Sequence, residues 1–437
     1  MFDSFGRIER RPRRTVSFSE AERMLRDGRA GAGGLLGFGN GRSYGDSCHN
    51  DGGALVEMRP EARILGFDPA SGILDAEAGV LLADIIAFAA PHGFFLPVTP
   101  GTRFVTLGGA IANDVHGKNH HRRGTFGCHV VSFELLRSNG AVFSCSPLKN
   151  EALFAATIGG MGLTGLIVTA RIRLMRVPSL DVEERVTRFA DLDQFFALAE
   201  KADADNEYAV AWIDQLAEGG RAGRGLLLTG NHAGNGNFDA SPRPAWLGVS
   251  FELPFSVLNR PSLKLFNAAY HHLKGREAGP HLSGYEPFFY PLDSLRGWNR
   301  LYGPAGLYQH QSVIPEPQAR ETIPAMLEAT RRAGQVSFLT VLKRFGTIRS
   351  PGLLSFPQPG YTLTLDFPNR GEKTLELLSE LDRLTVEAQG RVNPYKDQRM
   401  SAATFAASFP QWKMLEEQRD PAFSSNFWRR TAQVLAA

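Results

Sequence analysis

Gly37-Phe38-Gly39-Asn40-Gly41-Arg42-Ser43-Tyr44-Gly45-Asp46 alternates glycine with other residues and then hands over to small polar groups. A backbone without Cβ atoms lets N–H groups crowd around a pyrophosphate. A second stretch runs from Pro97 through Pro100-Gly101-Thr102 to Gly108-Gly109-Ala110-Ile111-Ala112-Asn113-Asp114-Val115-His116-Gly117-Lys118-Asn119. It passes from a Pro-Gly turn into a Gly-Gly-Ala backbone that a flat ring can approach, and ends in a histidine and a lysine able to face the ring's reactive edge. Glycine-rich runs are mostly ordinary turns. The pair, in this order and followed by Gly159-Gly160-Met161-Gly162-Leu163-Thr164-Gly165-Leu166-Ile167, points to two walls of one ligand site.

A nicotinamide dinucleotide or ATP has little support as the ligand. The one literal Gly-x-Gly-x-x-Gly, Gly160 to Gly165, leads into the strand-like Leu166-Ile167-Val168 instead of opening a helix, and no Gly-Lys-Ser/Thr of a P-loop occurs. The pair reads instead as a flavin site.

In this order the three segments resemble the FAD-binding domain of the vanillyl-alcohol-oxidase superfamily of flavoproteins, and within it enzymes acting on a lipid-linked ribose. The likeness continues through Trp298-Asn299-Arg300-Leu301-Tyr302-Gly303-Pro304-Ala305-Gly306, Leu353-Leu354-Ser355-Phe356-Pro357, Asp366-Phe367-Pro368 and Lys396-Asp397, over nearly the whole chain. It implies an α+β, two-domain fold: an FAD-binding domain over residues 1–177, a substrate domain over the flavin at 178–390, and a C-terminal segment, 391–437, that returns to the FAD domain. It implies FAD contacts from Gly37, Gly39, Asn40, Gly41, Arg42, Ser43, Tyr44, Gly45, Asp46, Gly101, Thr106, Gly108, Gly109, Asn113, His116 and Ile167. Catalysis falls to Lys396 and His116, and substrate contacts to Lys118, Trp212, Tyr290, Gln309, Gln311, Lys343 and Thr364. The implied reaction oxidises the 2′-hydroxyl of a polyprenylphosphoryl-ribose to the 2′-keto sugar, the first half of an epimerisation to arabinose that an NAD(P)H-dependent reductase subunit completes.

Two departures bear on the chemistry. Where many members tether the flavin through a histidine this chain has Arg42, and no cysteine lies between Pro97 and Asn113, so non-covalent FAD is expected. Two residues before Asp366, where the best-known members carry a cysteine, stands Thr364. Two other readings stay open. One is an alditol or sugar-lactone oxidase, although the His-Trp-small-Lys segment of those enzymes is not reproduced by Trp412-Lys413; the other is a flavin-binding partner subunit inactive alone.

Bulk properties agree with a soluble enzyme. At 437 residues, 43% apolar and 21% charged, the chain is long enough for two cores. A net charge of +3 with scattered basic residues gives no nucleic-acid surface. Cys48, Cys128 and Cys145 form neither a disulfide framework nor a metal site, which fits a reducing, cytoplasmic compartment. No signal peptide or membrane span is evident, so any membrane contact is expected to be peripheral. Arg7, Arg10, Arg11, Arg13 and Arg14 read as a solvated, frayed terminus or as a contact to anionic lipid.

Strands are expected near 54–56, 165–168, 208–213, 225–228, 336–342 and 361–367, and helices at 81–90 and 373–389. If the segment holding Gln309 and Gln311 is a strand, alternation puts both on one face. The stretch 241–291, dense in Pro, Phe and Leu, reads as loop-rich. Its Phe251, Leu253, Phe255, Leu258, Leu263, Leu265 and Phe266 are either core or a mobile apolar flap for a lipid-linked substrate.

Overall fold

The structure, a computed structural model, describes residues 2–241, 247–249, 252, 254–276 and 279–436. Residues 15–177 build two small sheets around one apolar core. Strands Thr15–Ser17, Ala54–Glu57 and Leu35–Phe38 lie side by side and parallel, with Ala54–Glu57 in the centre. Strands Ile64–Asp68, Ile73–Glu77, Leu166–Arg173, Val130–Leu136 and Val142–Cys145 form an antiparallel sheet in that order. Val56, Leu74, Ile86, Phe95, Phe133 and Ala170 meet in the core, and Leu82–Ala89 supplies the expected helix.

The second layer is an eight-stranded antiparallel sheet. Its order is Gly279–Ser283, Val182–Phe189, Gly225–His232, Tyr208–Ile213, Val341–Phe345, Gly360–Pro368, Leu307–Pro315 and Arg391–Val392. Helices Leu192–Asp205, Glu316–Arg332 and Glu372–Glu387 cover one face through Phe195, Phe196, Ile323, Met326, Leu377 and Leu381. Period-two alternation sends Leu342, Leu363 and Leu365 to these helices and leaves Gln309, Gln311, Lys343 and Thr364 on the other face, beside the apolar Val210, Trp212 and Val341. The architecture is α+β, as expected, and this second face of the large sheet looks onto the glycine-rich loops.

Beyond residue 401 short helices pack back on the first unit. Phe423 pairs with Leu35, the Leu35 N–H donates to the Ala422 carbonyl at 2.7 Å, and the Asn426 N–H donates to that of His49 at 2.8 Å.

Three expectations need correction. The stretch 241–291 contains the helix Arg260–Lys274, strand Gly279–Ser283 and helix Tyr285–Phe289. Asn259 and Ser262 cap the first of these reciprocally, and Pro261 stands in its first turn, where the missing N–H breaks no helical bond. Leu258 and Leu263 are core, Phe255, Leu265 and Phe266 are exposed, and Phe251 and Leu253 lie outside the described residues. The strand expected at 336–342 is Val341–Phe345, because Ser337 turns its hydroxyl to the Leu339 carbonyl. Nor does the arginine-rich terminus fray. The Arg13 side chain is 1% exposed and pairs with Asp3 and Asp51, while Arg7 and Arg10 share Glu252. Among the described residues no helix is long and apolar enough to cross a membrane.

Candidate active site

A cavity of about 1000 Å³ runs between the glycine-rich loops and the face of the large sheet that carries Gln309 and Gln311. That is the upper end of the range for small-molecule sites, roughly 300–1,000 Å³. Gly37, Gly39, Asn40, Gly41, Arg42, Ser43 and Tyr44 line it along one side. Gly101, Thr106, Gly108, Gly109, Asn113, His116 and Lys118 form the second wall, and Ile167 closes the end. Trp212, Gln309, Gln311, Lys343, Thr364 and Lys396 face them from the sheet and the segment after it.

The glycine walls leave room that side chains would fill. A Cβ at Gly109 would meet only Thr106 Oγ1, at 2.9 Å, and one at Gly101 would meet nothing within 4 Å, so both backbones face the opening. Gly41 is left-handed, at φ 59°, which brings the loop around without strain. Asn40 ties the loops together by donating to the Phe104 carbonyl at 2.7 Å. Arg42 extends between the rings of Phe5 and Phe104, 5.7 and 5.6 Å from their centroids, with its Nε buried and free of hydrogen bonds. A long cavity walled by bare backbone with an unspent arginine donor fits a dinucleotide carrying a flat ring.

Gln309 and Gln311 lie on the strand Leu307–Pro315 and both face the cavity, as alternation requires. Gln311 stands opposite Thr364, and Lys343 opposite Thr362. One hydrogen-bond chain then fixes the orientation of His116. The Tyr395 N–H donates to Asn393 Oδ1 at 3.0 Å, which directs Asn393 Nδ2 to Gln311 Oε1 at 2.9 Å. Gln311 Nε2 is left to donate to Thr362 Oγ1 at 3.0 Å and to His116 Nε2 at 3.1 Å. His116 therefore accepts at Nε2 and carries its proton on Nδ1. Burial, with Lys343 and Lys396 nearby, holds its pKa well below the usual imidazole value, so the ring is neutral.

Three lysines converge on the same space. Lys396 Nζ sits over the Tyr44 ring, 4.6 Å from its centroid. Burial lowers its pKa and the Asp366 carboxylate opposes that shift. Asp366 is itself fully buried, which raises its pKa, and it accepts from Gln309 Nε2 at 2.5 Å. Burial and the positive charge of Lys396 and Lys118 bring Lys343 down to about 7. Lys118 donates to the Phe288 carbonyl and is lowered to about 8, chiefly by burial.

Three residues expected at the site stand behind its wall. The Tyr290 hydroxyl is 2.7 Å from Thr99 Oγ1, so it supports a lining residue without lining the cavity itself. Asp46 spends its carboxylate on Arg430, at 2.8 Å, and Gly45 packs on the Asp397 backbone. Asn393 and Thr362 were not anticipated. Alternation from Thr364 gives Thr362 the same face, whereas no local signal marks Asn393.

Comparison with known proteins agrees with this geometry. The family described as FAD binding domain matches residues 21–146. The chain is 35% identical to the decaprenylphosphoryl-β-D-ribose oxidase of Mycolicibacterium smegmatis over 93% of its own length and 91% of that protein's. An uncharacterized protein of Streptomyces coelicolor is 34% identical over 78% of this chain and 96% of its own length. The L-gulonolactone oxidase of Bos taurus is 32% identical over only 33% of this chain and 32% of its own length. Likeness that spans both sheets and the segment holding Lys396 places the chain in the decaprenylphosphoryl-β-D-ribose oxidase family of FAD-linked oxidoreductases, within the vanillyl-alcohol-oxidase superfamily.

Proposed function

We propose that the protein oxidises the 2′-hydroxyl of a polyprenylphosphoryl-ribose to the 2′-keto sugar. The observation that carries this is the convergence of Lys396, Lys343, Lys118 and the oriented His116 on one cavity beside the glycine walls. Bound FAD supplies a two-electron acceptor for the hydride that leaves the carbinol carbon. The chain's own residues position the sugar and handle the proton. Gln309, Gln311 and Lys343 orient the hydroxyls, and His116 offers a neutral Nδ1–H. Lys396, beside Asp366, takes the hydroxyl proton or stabilises the charge that develops as it leaves. Trp212, Phe266 and Tyr270 give the cavity an apolar side suited to the first units of a lipid chain.

The flavin is held without a covalent bond. Of the nucleophiles on the wall, Cys48 is pushed up to about 12 by burial and stays a thiol, and His116 Nε2 already accepts from Gln311. Acid precipitation should leave the yellow colour in the supernatant; a yellow pellet would contradict this. The keto product then requires reduction, and the chain's Gly160–Gly165 fingerprint feeds the strand Leu166–Arg173 instead of a helix. A separate nicotinamide-dependent reductase is therefore the partner. Anaerobic mixing with a panel of sugars tests the substrate. Flavin absorbance should bleach with polyprenylphosphoryl-ribose and not with alditols or aldonolactones, and the reverse pattern would overturn the proposal.

A further inference from the structure

Arg430 reaches the site from the far end of the chain. Its Nε and Nη2 donate to the two carboxylate oxygens of Asp46 at 2.8 and 2.9 Å. Nη2 also donates to Asp397 Oδ2 at 2.7 Å, and Nη1 to the Met400 carbonyl at 2.7 Å. One guanidinium thus joins the end of the glycine loop to the residue after Lys396. A second contact, independent of charge, joins the same two segments. Gly45 lies so close to the Asp397 carbonyl that a Cβ there would stand 1.5 Å from its oxygen.

The turn holding Lys396 is also fixed internally, because Asp397 Oδ2 accepts the N–H groups of Arg399 at 2.8 Å and Met400 at 2.7 Å. Arg399 in turn binds Asp382, whose Oδ1 is 3.1 Å from Nε2 of His310, the residue between Gln309 and Gln311. Asp46 and Asp397 are 3% and 4% exposed. Without Arg430 two buried carboxylates would face each other across the joint with their shared cation gone and Arg399 Nε, 3.5 Å from Asp397 Oδ1, left beside them, an unfavourable arrangement.

We propose that Arg430 is a positioning residue that clasps the Lys396 turn to the glycine loop and so keeps the Lys396 ammonium over Tyr44. The inference rests on the reading of Lys396 as the group that handles the proton. Arg430 stands outside the cavity wall and reaches the site only through the two segments it joins, the Lys396 turn and the end of the glycine loop.

The test is a double-mutant cycle on the FAD-loaded enzyme, read by the midpoint potential of the bound flavin and by kcat. A cation held beside the ring favours the reduced flavin, so Lys396→Met lowers the potential. Arg430→Gln should lower it in the same direction and reduce kcat by about ten- to a hundredfold, the scale of a small displacement of a reacting group. In the Lys396→Met background it should change neither further. Arg430→Lys keeps the charge but loses the fork that spans two carboxylates, and should fall between Arg430→Gln and the wild type. If Arg430→Gln does not fold, Arg430→Lys serves alone. Wild-type potential and kcat in the variant that folds, or effects that add in full to those of Lys396→Met, would overturn the proposal. The potential needs no substrate, so an enzyme that ignores the ribose lipid would defeat the proposed function and leave this test readable.

Discussion

Lys396 and Lys343 share one cavity and comparable burial, and their neighbours set them apart. Asp366 favours the ammonium of Lys396, whereas the charges acting on Lys343 are those of Lys396 and Lys118, which oppose its protonation. Lys396→Ala should therefore slow substrate-dependent flavin reduction by about two to four orders of magnitude while the fold persists. Lys396→Arg separates the two roles, because a guanidinium supplies charge and gives up no proton. Much of the rate returns if charge suffices, and little if a proton must be accepted. A Lys396→Ala enzyme with the wild-type rate would remove the residue from the mechanism. Lys343, at about 7, titrates in the working range. It is charged below that pH and neutral above it, and under the proposed function the charged form is the one that would hold an anionic phosphodiester and the sugar hydroxyls. We therefore expect kcat/KM, which reports the free enzyme, to fall as pH rises through about 7. The step should vanish in Lys343→Met; a step that survives belongs to another group.

At the scale of elements, the helix Leu107–Ala112 shows how local chemistry prepares the wall. Thr106 caps it by accepting the Gly109 N–H at 3.2 Å, and Gly109 then turns its bare Cα to the cavity. Gly109→Val puts side-chain bulk into the cavity and presses on Thr106 Oγ1, which its Cβ would meet at 2.9 Å. A clash of about 1–3 kcal/mol, or roughly ten- to a hundredfold in FAD affinity, is the expected cost. Flavin content per protein should drop, and the loss of FAD affinity should exceed the loss of apoprotein stability, which is that of one helix cap, about 1 kcal/mol; unchanged FAD affinity would move the ring elsewhere. Elements like this one were legible because they are written in contiguous residues. The glycine runs, the alternation of Gln309 and Gln311, and the strand Tyr208–Ile213 all have a period or a turn signal that a sequence displays. The helix Arg260–Lys274 was hidden by its own start signal, since a proline that begins a helix looks like one that ends a strand. Asn393 and Arg430 were hidden for a different reason. Their partners, Gln311 for one and Asp46 and Asp397 for the other, are brought to them by tertiary folding, and an isolated asparagine or arginine carries no mark of that.

At the scale of the molecule, the site belongs to neither sheet alone. The glycine loops come from the first unit, the glutamines and Lys343 from the large sheet, and Lys396 from the segment after it. The N-terminal residues help hold these parts together. The Phe5 N–H donates to the Ser43 carbonyl at 2.7 Å, and the Gly6 carbonyl accepts from the Leu307 N–H at 2.8 Å, so one short segment spans the glycine loop and the strand of Gln309. That arrangement explains why Arg7, Arg10 and Arg13 are paired instead of free in solvent. If the proposed function holds, the bond broken is the C–H at C2 of a lipid-linked ribose. Single-turnover anaerobic reduction with polyprenylphosphoryl-ribose deuterated only at C2 tests this most directly. Bleaching should be slower than with the unlabelled lipid and the keto product should have lost the deuterium; bleaching at the unlabelled rate with the deuterium still in the product would rule out oxidation at C2.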